Sequence, residues 1–230
     1  MNVNWERLWR SAGIQFVVLF VVAYIIYGDQ PKVGASSAKL VSFYDGDRTR
    51  ILISTIIFCF AILNLLWFAA ALASALRDVG QGGWGAAVTA SSAALASVLF
   101  VLVTVGAALA YSVAGSGNDT LTSGLNDLSW VCMVIISFPA AMLIMAGAFG
   151  LWRAGIISNA FFTVGVAAVV LALLGGTTWA GNGFWAPDGA YSRFISPIVG
   201  LAWIAVISGL LVMRAPKVAR APERQAVPTP

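Results

Sequence analysis

Few side chains in this chain could do chemistry, and their distribution narrows the class of protein. The 230 residues include no histidine, which removes the usual general base and the commonest ligand for zinc, copper and haem iron. The charged side chains that could cluster outside the apolar segments are Asp45, Asp47, Asp188, Arg48, Arg50 and Arg193. Salt bridges between loops explain this set more simply than a pair of catalytic acids. We therefore expect no catalytic residue, no metal site and no cofactor.

The motifs of other membrane activities are also missing from the sequence. The long apolar segments contain no acidic residue, whereas ion-coupled transporters normally carry one. There is no phosphate-binding glycine loop, GxSxG motif, TVGYG filter or arginine ladder. Cys59 and Cys132 lie within apolar segments, outside any CxxC pair, and are expected to pack as small hydrophobic residues. These absences favour a non-enzymatic protein.

Mildly polar side chains inside the apolar segments are the remaining candidates for a binding site. Asn64 lies near the middle of the second segment, and Ser137 lies two residues before Pro139 in the fourth. A mid-helix proline bends a helix and can open a cavity, but such a bend also serves plain packing. Hydroxyl and amide groups can likewise bond another helix instead of a ligand. The candidate ligand-binding residues are Asn64, Trp67, Ser137, Pro139, Trp185 and Tyr191.

Six apolar segments without a charged residue must position these side chains. Each segment, alone or with its flanks, can cross a hydrocarbon core of about 30 Å as a helix. Lipid favours helices because every backbone polar group must be paired within its own segment. The predicted spans are 12–27, 51–76, 84–113, 130–152, 157–180 and 194–213. The sequence predicts an all-α, polytopic integral membrane protein, with residues 1–213 forming one bundle of six transmembrane helices.

The distribution of cations predicts how this bundle is oriented. Eight cations fall on the side of the termini and five on the opposite side. The eight are Arg7, Arg10, Arg77, Arg153, Arg214, Lys217, Arg220 and Arg224. Because cations mark the cytoplasmic side, we expect both termini inside and the protein in the plasma membrane, the inner membrane of a bacterium. The basic, proline-rich tail 214–230 is predicted to be disordered and to touch anionic lipid, with no nucleic acid partner.

The connections and one helix face carry further expectations. Residues 36–44 predict a short amphipathic helix on the membrane surface, with a solvated linker as the alternative. Very short connections at 77–83 and 153–155 predict antiparallel hairpins. Ala86, Ala90 and Ala94 recur every fourth residue, which permits close helix approach at the bundle centre or at an oligomer contact.

Two runs of sequence resemble a known family. KLVSFYDGDRTRILISTIIFCFAILNLLWFAAALASALRD (39–78) resembles the second helix, with its external lead-in, of a set of bacterial six-helix membrane proteins. The run 125–176, beginning LNDLSWVCMVIISFP, is similar to the fourth and fifth helices of the same set. The resemblance covers roughly residues 36–213. It implies a six-helix membrane protein and no activity, because that set is a domain of unknown function.

A second similarity concerns the last helix. The order that resembles the lead into the last helix of the insulin-induced gene (Insig) sterol sensors is Asn182-Gly183, Pro187-Asp188, Tyr191, Arg193 and Pro197. The second helix of the chain lacks that family's tryptophan- and proline-rich signature. The similarity implies binding of a lipid or sterol.

Three functions follow as hypotheses. The first is a non-enzymatic bundle that binds a lipid or sterol-like apolar ligand between its helices, with membrane lipid as the partner. The second is a structural or accessory subunit whose small-residue faces bind other membrane helices or a second copy of the chain. The third is a facilitative transporter or exporter of apolar small molecules.

Overall fold

The computed structural model describes residues 5–214, and these form an all-helical fold. The predicted disordered tail therefore lies outside the described residues, apart from Arg214. The helices, in chain order, are α1 (Trp5–Arg10), α2 (Ala12–Tyr27), α3 (Ser37–Tyr44), α4 (Arg48–Asp78), α5 (Gly82–Ala108), α6 (Asp119–Arg153), α7 (Asn159–Gly175) and α8 (Ser196–Met213). A π-helical turn, Leu109–Val113, extends α5, and another, Tyr191–Ile195, leads into α8.

Six of these helices are apolar, and they pack side by side. Four of them are long and apolar enough to cross a membrane. They are α4, α6, α5 continued to Ser116, and α8 counted from Tyr191. The apolar helices α2 and α7 are shorter, with 16 and 17 residues. Around the bundle, α2 packs on α4, α4 on α5, α5 on α6, α6 on α7 and α7 on α8, and α8 returns to α2. The fold is an all-α bundle with four helices of membrane-spanning length, which supports the predicted membrane protein, and the number of six spans stays a prediction.

Local signals set the helix ends and explain two departures from the predicted segments. The helix α6 begins well before residue 130 because the Asn118 side chain accepts a hydrogen bond from the backbone of Leu121 at 3.1 Å. The helix α7 is shorter than 157–180. Its first turn is capped by Ser158, and it ends at Gly175, beside a second glycine.

The bundle has two distinct ends. We call the inner end the one where α2 begins, α8 finishes and the α4–α5 and α6–α7 turns lie. The outer end carries α3 and the connections that flank it, 109–118 and 176–195. Both inner turns are short, and each contains a glycine at positive φ, Gly80 at 76° and Gly155 at 66°. The predicted hairpins are therefore present.

The inner half of the bundle is tightly packed. The ring of Trp203 on α8 lies edge-on to Phe68 on α4, with centroids 6.4 Å apart. A Cβ atom on Gly147 of α6 would overlap the Trp203 ring, and one on Gly150 would lie 2.9 Å from Leu76. The glycines let large side chains fill the centre, so this half carries the main hydrophobic core.

The predicted helix at 36–44 is present as α3, and its apolar face contacts the bundle. Leu40 and Tyr44 are fully buried against Ile51 and Leu109. The Tyr44 hydroxyl donates to Oδ1 of the buried Asn126 on α6 at 2.9 Å. Residues 28–44 thus form a fitted cap on the outer end.

Candidate functional site

A cavity of about 280 Å³ lies in the outer half of the bundle. Lining residues come from α2, α4, α5, α6 and the start of α8, whereas α7 contributes none. They run from Phe20 to Gly28 on the α2 side and from Arg193 to Leu201 on the α8 side. At the helical rise, each of these stretches spans about 12 Å. The cavity therefore extends from the middle of the bundle to its outer end.

The cavity wall is apolar at depth and polar only near the outer end. The apolar lining residues include Phe20, Phe58, Ile62, Leu99, Leu102, Val103, Met133 and Leu201. Polar atoms come from Tyr24, Tyr27, Gln30, Thr55 and Arg193. Within the described part of the chain, Arg193 is the only charged residue in the lining. This distribution suits a molecule with one polar end and one apolar end.

Arg193 connects three parts of the outer end. Its Nε donates to the Tyr24 hydroxyl on α2 at 3.2 Å, and its guanidinium forms an ion pair with Asp29. The Arg193 side chain is only 16% exposed, whereas that of Asp29 is 84% exposed. The cation thus lies at the wall of the cavity, while its anionic partner stands in solvent.

A second arginine approaches the polar outer end of the cavity, which we call the rim, from α4. A Cβ atom placed on Gly28 would lie 3.3 Å from a guanidinium nitrogen of Arg50, so this cation rests against the backbone of a cavity-lining residue. Arg50 also bonds Asp47 at 2.6 Å, and both side chains of this pair are more than two-fifths exposed. Of the expected salt bridges between loops, Arg193 forms one, but with Asp29, outside the set first considered. The Arg50–Asp47 pair is local to the start of α4.

The residues that are both cavity-lining and exposed mark where the cavity opens. They are Val21 on α2, Phe194 in the π-helical turn before α8, and Ile198 in the first turn of α8. The helices α2 and α8 contact each other less extensively than α2 contacts α4. The opening therefore lies at the side of the bundle, between α2 and α8, below the link from Arg193 to Tyr24.

On the side of the rim away from the opening, hydrogen bonds join the cap to α6. The buried Trp130 indole donates to the Pro31 carbonyl at 2.9 Å, and the Gln30 amide donates to the Ser129 hydroxyl. Nδ2 of Asn126 donates to the Lys32 carbonyl at 3.2 Å. These bonds fix residues 30–32 to α6, so the polar groups of the rim are pre-positioned.

None of the six predicted site residues lines this cavity. Asn64 donates to the Phe60 carbonyl of its own helix at 2.9 Å, and within the described residues its Oδ1 has no partner. Trp67, three residues on, is 62% exposed on the outside of α4. Trp67 therefore faces away from the centre of the bundle, whereas Asn64 is half-buried and bonds its own helix.

Ser137 lies on the face of α6 that contacts α7 and the start of α8. The Ser137 hydroxyl is 3.3 Å from that of Ser196, and both pack closely over Gly175. This contact is the helix-to-helix bonding that the sequence left open as the alternative. Pro139 is half-buried, and α6 continues through it.

Trp185 and Tyr191 pack the outer connection between α7 and α8. Their ring centroids are 4.5 Å apart. The Trp185 indole donates to the Thr177 carbonyl, and the Tyr191 hydroxyl donates to the Leu171 carbonyl, both at 2.9 Å. The structure thus brings these two residues together, but neither of them lines the cavity.

The residues that sequence reasoning missed are those of the polar rim. Arg193 carried one usable signal, since it immediately precedes the last apolar span at the boundary where polar head groups lie. Tyr24 and Gln30 carried none, because nothing in their local sequence shows which neighbour they meet. Among residues 5–214, no group of three metal-binding side chains comes together. What the site offers a ligand is an apolar interior with a cationic rim.

Compared with known proteins, the chain matches no family model, no curated protein and no solved structure. The resemblance to six-helix bacterial membrane proteins therefore stays a prediction.

Proposed function

We propose that this chain is a non-enzymatic membrane protein that holds a lipid or sterol-like apolar ligand in the cavity of its outer half. The observation that carries the proposal is the cavity itself: about 280 Å³, apolar at depth, polar at one end and open at the side. An engineered apolar cavity of about 150 Å³ stays dry and binds benzene. A space nearly twice as large, open between two helices, is suited to part of a lipid.

All six apolar helices cross the membrane in this proposal, including the shorter α2 and α7. In the sequence the side of the termini carries eight cations against five on the opposite side, which supports a cytoplasmic inner end and an external rim. The opening between α2 and α8 then faces the outer leaflet of a bacterial plasma membrane. A lipid can reach the cavity from that leaflet without passing through water.

Filling the cavity tests the proposal. Val103 lines it, whereas Val101, two residues earlier on the same helix, is half exposed and lies outside it. We expect native mass spectrometry of protein released in mild detergent to find one defined lipid at fixed stoichiometry. That lipid should persist in Val101→Phe and be lost in Val103→Phe. Equal retention in both variants, or a wild type that strips bare, contradicts the proposal.

A second function, as an accessory subunit, is favoured by the exposed face of α5. Ala86, Ala90 and Ala94 are exposed on that helix, while its opposite face packs through Gly85 against Ala73 of α4. Of the two predicted places for this small-residue face, the structure favours an oligomer contact over the bundle centre. Ala90→Phe should then break an assembly that is present in mild detergent. A wild type that is monomeric by light scattering would remove this candidate.

A further inference from the structure

We propose that the ligand is a single-chain amphiphile with an anionic head group, and that Arg193 binds the head group by releasing Asp29. This inference rests on the proposed function and deepens it, because it assigns the chemistry of both ends of the ligand.

The polarity of the site selects an anion. Among the described residues, Arg193 is the only charged one that lines the cavity. The wall near it consists of hydroxyl, amide and aromatic groups. A cationic head group would meet the guanidinium at the wall and would reach Asp29 only outside the cavity. An anionic head group meets the guanidinium first, and a planar guanidinium presents donors in a geometry that matches carboxylate and phosphate.

The present partner of Arg193 is exchangeable. Asp29 is 84% exposed, so its half of the ion pair is well solvated and contributes little in water. Arg193 itself is mostly buried and keeps its bond to Tyr24 on a different helix. Replacing Asp29 by a ligand anion therefore needs no change in the position of the cation.

Arg50 supplies a second cation to the same head group. Its guanidinium lies against Gly28, the residue next to Asp29, and its own partner Asp47 is also exposed. Phosphate and carboxylate oxygens can accept from more than one arginine. The two arginines reach the Gly28–Asp29 turn from α4 and from the start of α8, so the head group would sit over this turn.

The size and shape of the cavity fit a ligand with a single alkyl chain. A volume of about 280 Å³ is near the lower limit of the pockets that hold drug-sized ligands. Its long dimension of about 12 Å follows the helices from the rim toward the middle of the bundle. The opening beside Ile198 and Val21 lies along this dimension, so a chain can enter sideways while its head group stays at the rim.

The test compares an anion with a neutral molecule of the same chain length. The wild-type protein in phosphatidylcholine nanodiscs is titrated with dodecanoate and with dodecan-1-ol. Val103→Phe, whose cavity is filled, gives the background for partition into lipid. We expect dodecanoate to bind more tightly than the alcohol, and Arg193→Gln to weaken dodecanoate by about tenfold or more and the alcohol by much less. Arg153→Gln, an exposed arginine at the inner end, serves as the matched control.

Asp29→Asn separates exchange from a merely structural ion pair. Because Asp29 competes for the cation, its neutralisation should tighten dodecanoate binding by about two- to fivefold. A structural ion pair predicts the opposite, because the rim would loosen and binding would weaken. Asp29 is exposed, so this variant should fold even if Arg193→Gln does not.

Further arms distinguish the source of the anion and the number of chains. Tighter binding of dodecyl phosphate than of dodecanoate assigns the head group to phosphate, and the reverse order assigns it to carboxylate. Phosphatidic acid, with two chains, should compete less well than dodecyl phosphate, and better competition overturns the single-chain assignment.

Equal affinity for acid and alcohol in the wild type overturns the anionic head group but leaves the proposed function intact. If neither ligand distinguishes the wild type from Val103→Phe, the proposed function itself fails.

Discussion

Single glycines decide how closely the helices approach in the inner half of the bundle. Gly147 lies directly beneath the Trp203 ring, and Leu72 also contacts this position. The side chain of Trp203 can fill the centre only because α6 presents no Cβ there. The outer half differs, because no side chain fills the cavity there.

A methyl group at this position should therefore destabilise the protein. We expect Gly147→Ala to lower the free energy of unfolding by about 1–3 kcal/mol, since the added Cβ overlaps a large ring. Gly209→Ala is the matched control, because a Cβ there meets nothing within 4 Å and alanine favours a helix. Thermal unfolding in detergent measures both, and equal midpoints would contradict the tight packing of this half.

Tyr44 makes the bond that joins the outer cap to α6. Burial raises the pKa of its hydroxyl well above the usual value of about 10, so the group stays a donor to Asn126 at physiological pH. Tyr44→Phe should cost about 1–3 kcal/mol because it leaves the buried Asn126 oxygen without its donor.

This bond also predicts a pH dependence. The folded-state pKa is raised, so the folded protein holds the proton more tightly than the unfolded chain does. The contribution of Tyr44 is therefore complete below about pH 10 and declines as the pH rises beyond it. Unfolding measured from pH 7 to 11 should show the gap between wild type and Tyr44→Phe narrowing above pH 10. A gap that widens there would show that the bond is assigned wrongly.

At the scale of elements, the sequence predicted more of the helices than of the faces they present. The absence of charge over long segments was enough to predict all six apolar helices, and α2 has the predicted bounds, 12–27. The early start of α6 was missed because Asp119 and Asp127 lie in its first turns, where an apolar pattern gives no signal. The side that each helix turns inward was not predictable for Asn64 or Ser137, because helices that are apolar all round have no distinct inward face.

The contact between α2 and α8 controls access to the cavity in this account. Ile198 lies at the edge of the opening, whereas Val206 is exposed on the same helix further toward the inner end. Ile198→Trp should narrow the opening and slow both binding and release of dodecanoate severalfold, with a smaller change in affinity. Val206→Trp should leave the rates unchanged. Stopped-flow measurements in nanodiscs compare the two, and equal rates for both variants would place the access route elsewhere.

At the scale of the whole molecule, the two halves of the bundle differ in a way that only the assembled structure reveals. The inner half is closed by Trp203 and the glycines of α6, whereas the outer half holds an apolar space beneath a rigid polar rim. The rim combines Tyr24 and Gln30 with Arg193, which lies 169 residues beyond Tyr24 in the sequence. The sequence does not show which helices pair, so the residues that line the cavity could not be predicted from it, and the apolar ligand stays a proposal.

Photolabelling in native membranes tests the central claim most directly. A fatty acid with a diazirine near the end of its chain is incorporated into membranes, irradiated, and located by mass spectrometry of the purified protein. We expect saturable labelling of cavity residues such as Leu99, Val103 and Leu201, abolished by excess unlabelled fatty acid and by Val103→Phe. Labelling confined to outward-facing residues such as Val101 and Val164, without saturation, would contradict it.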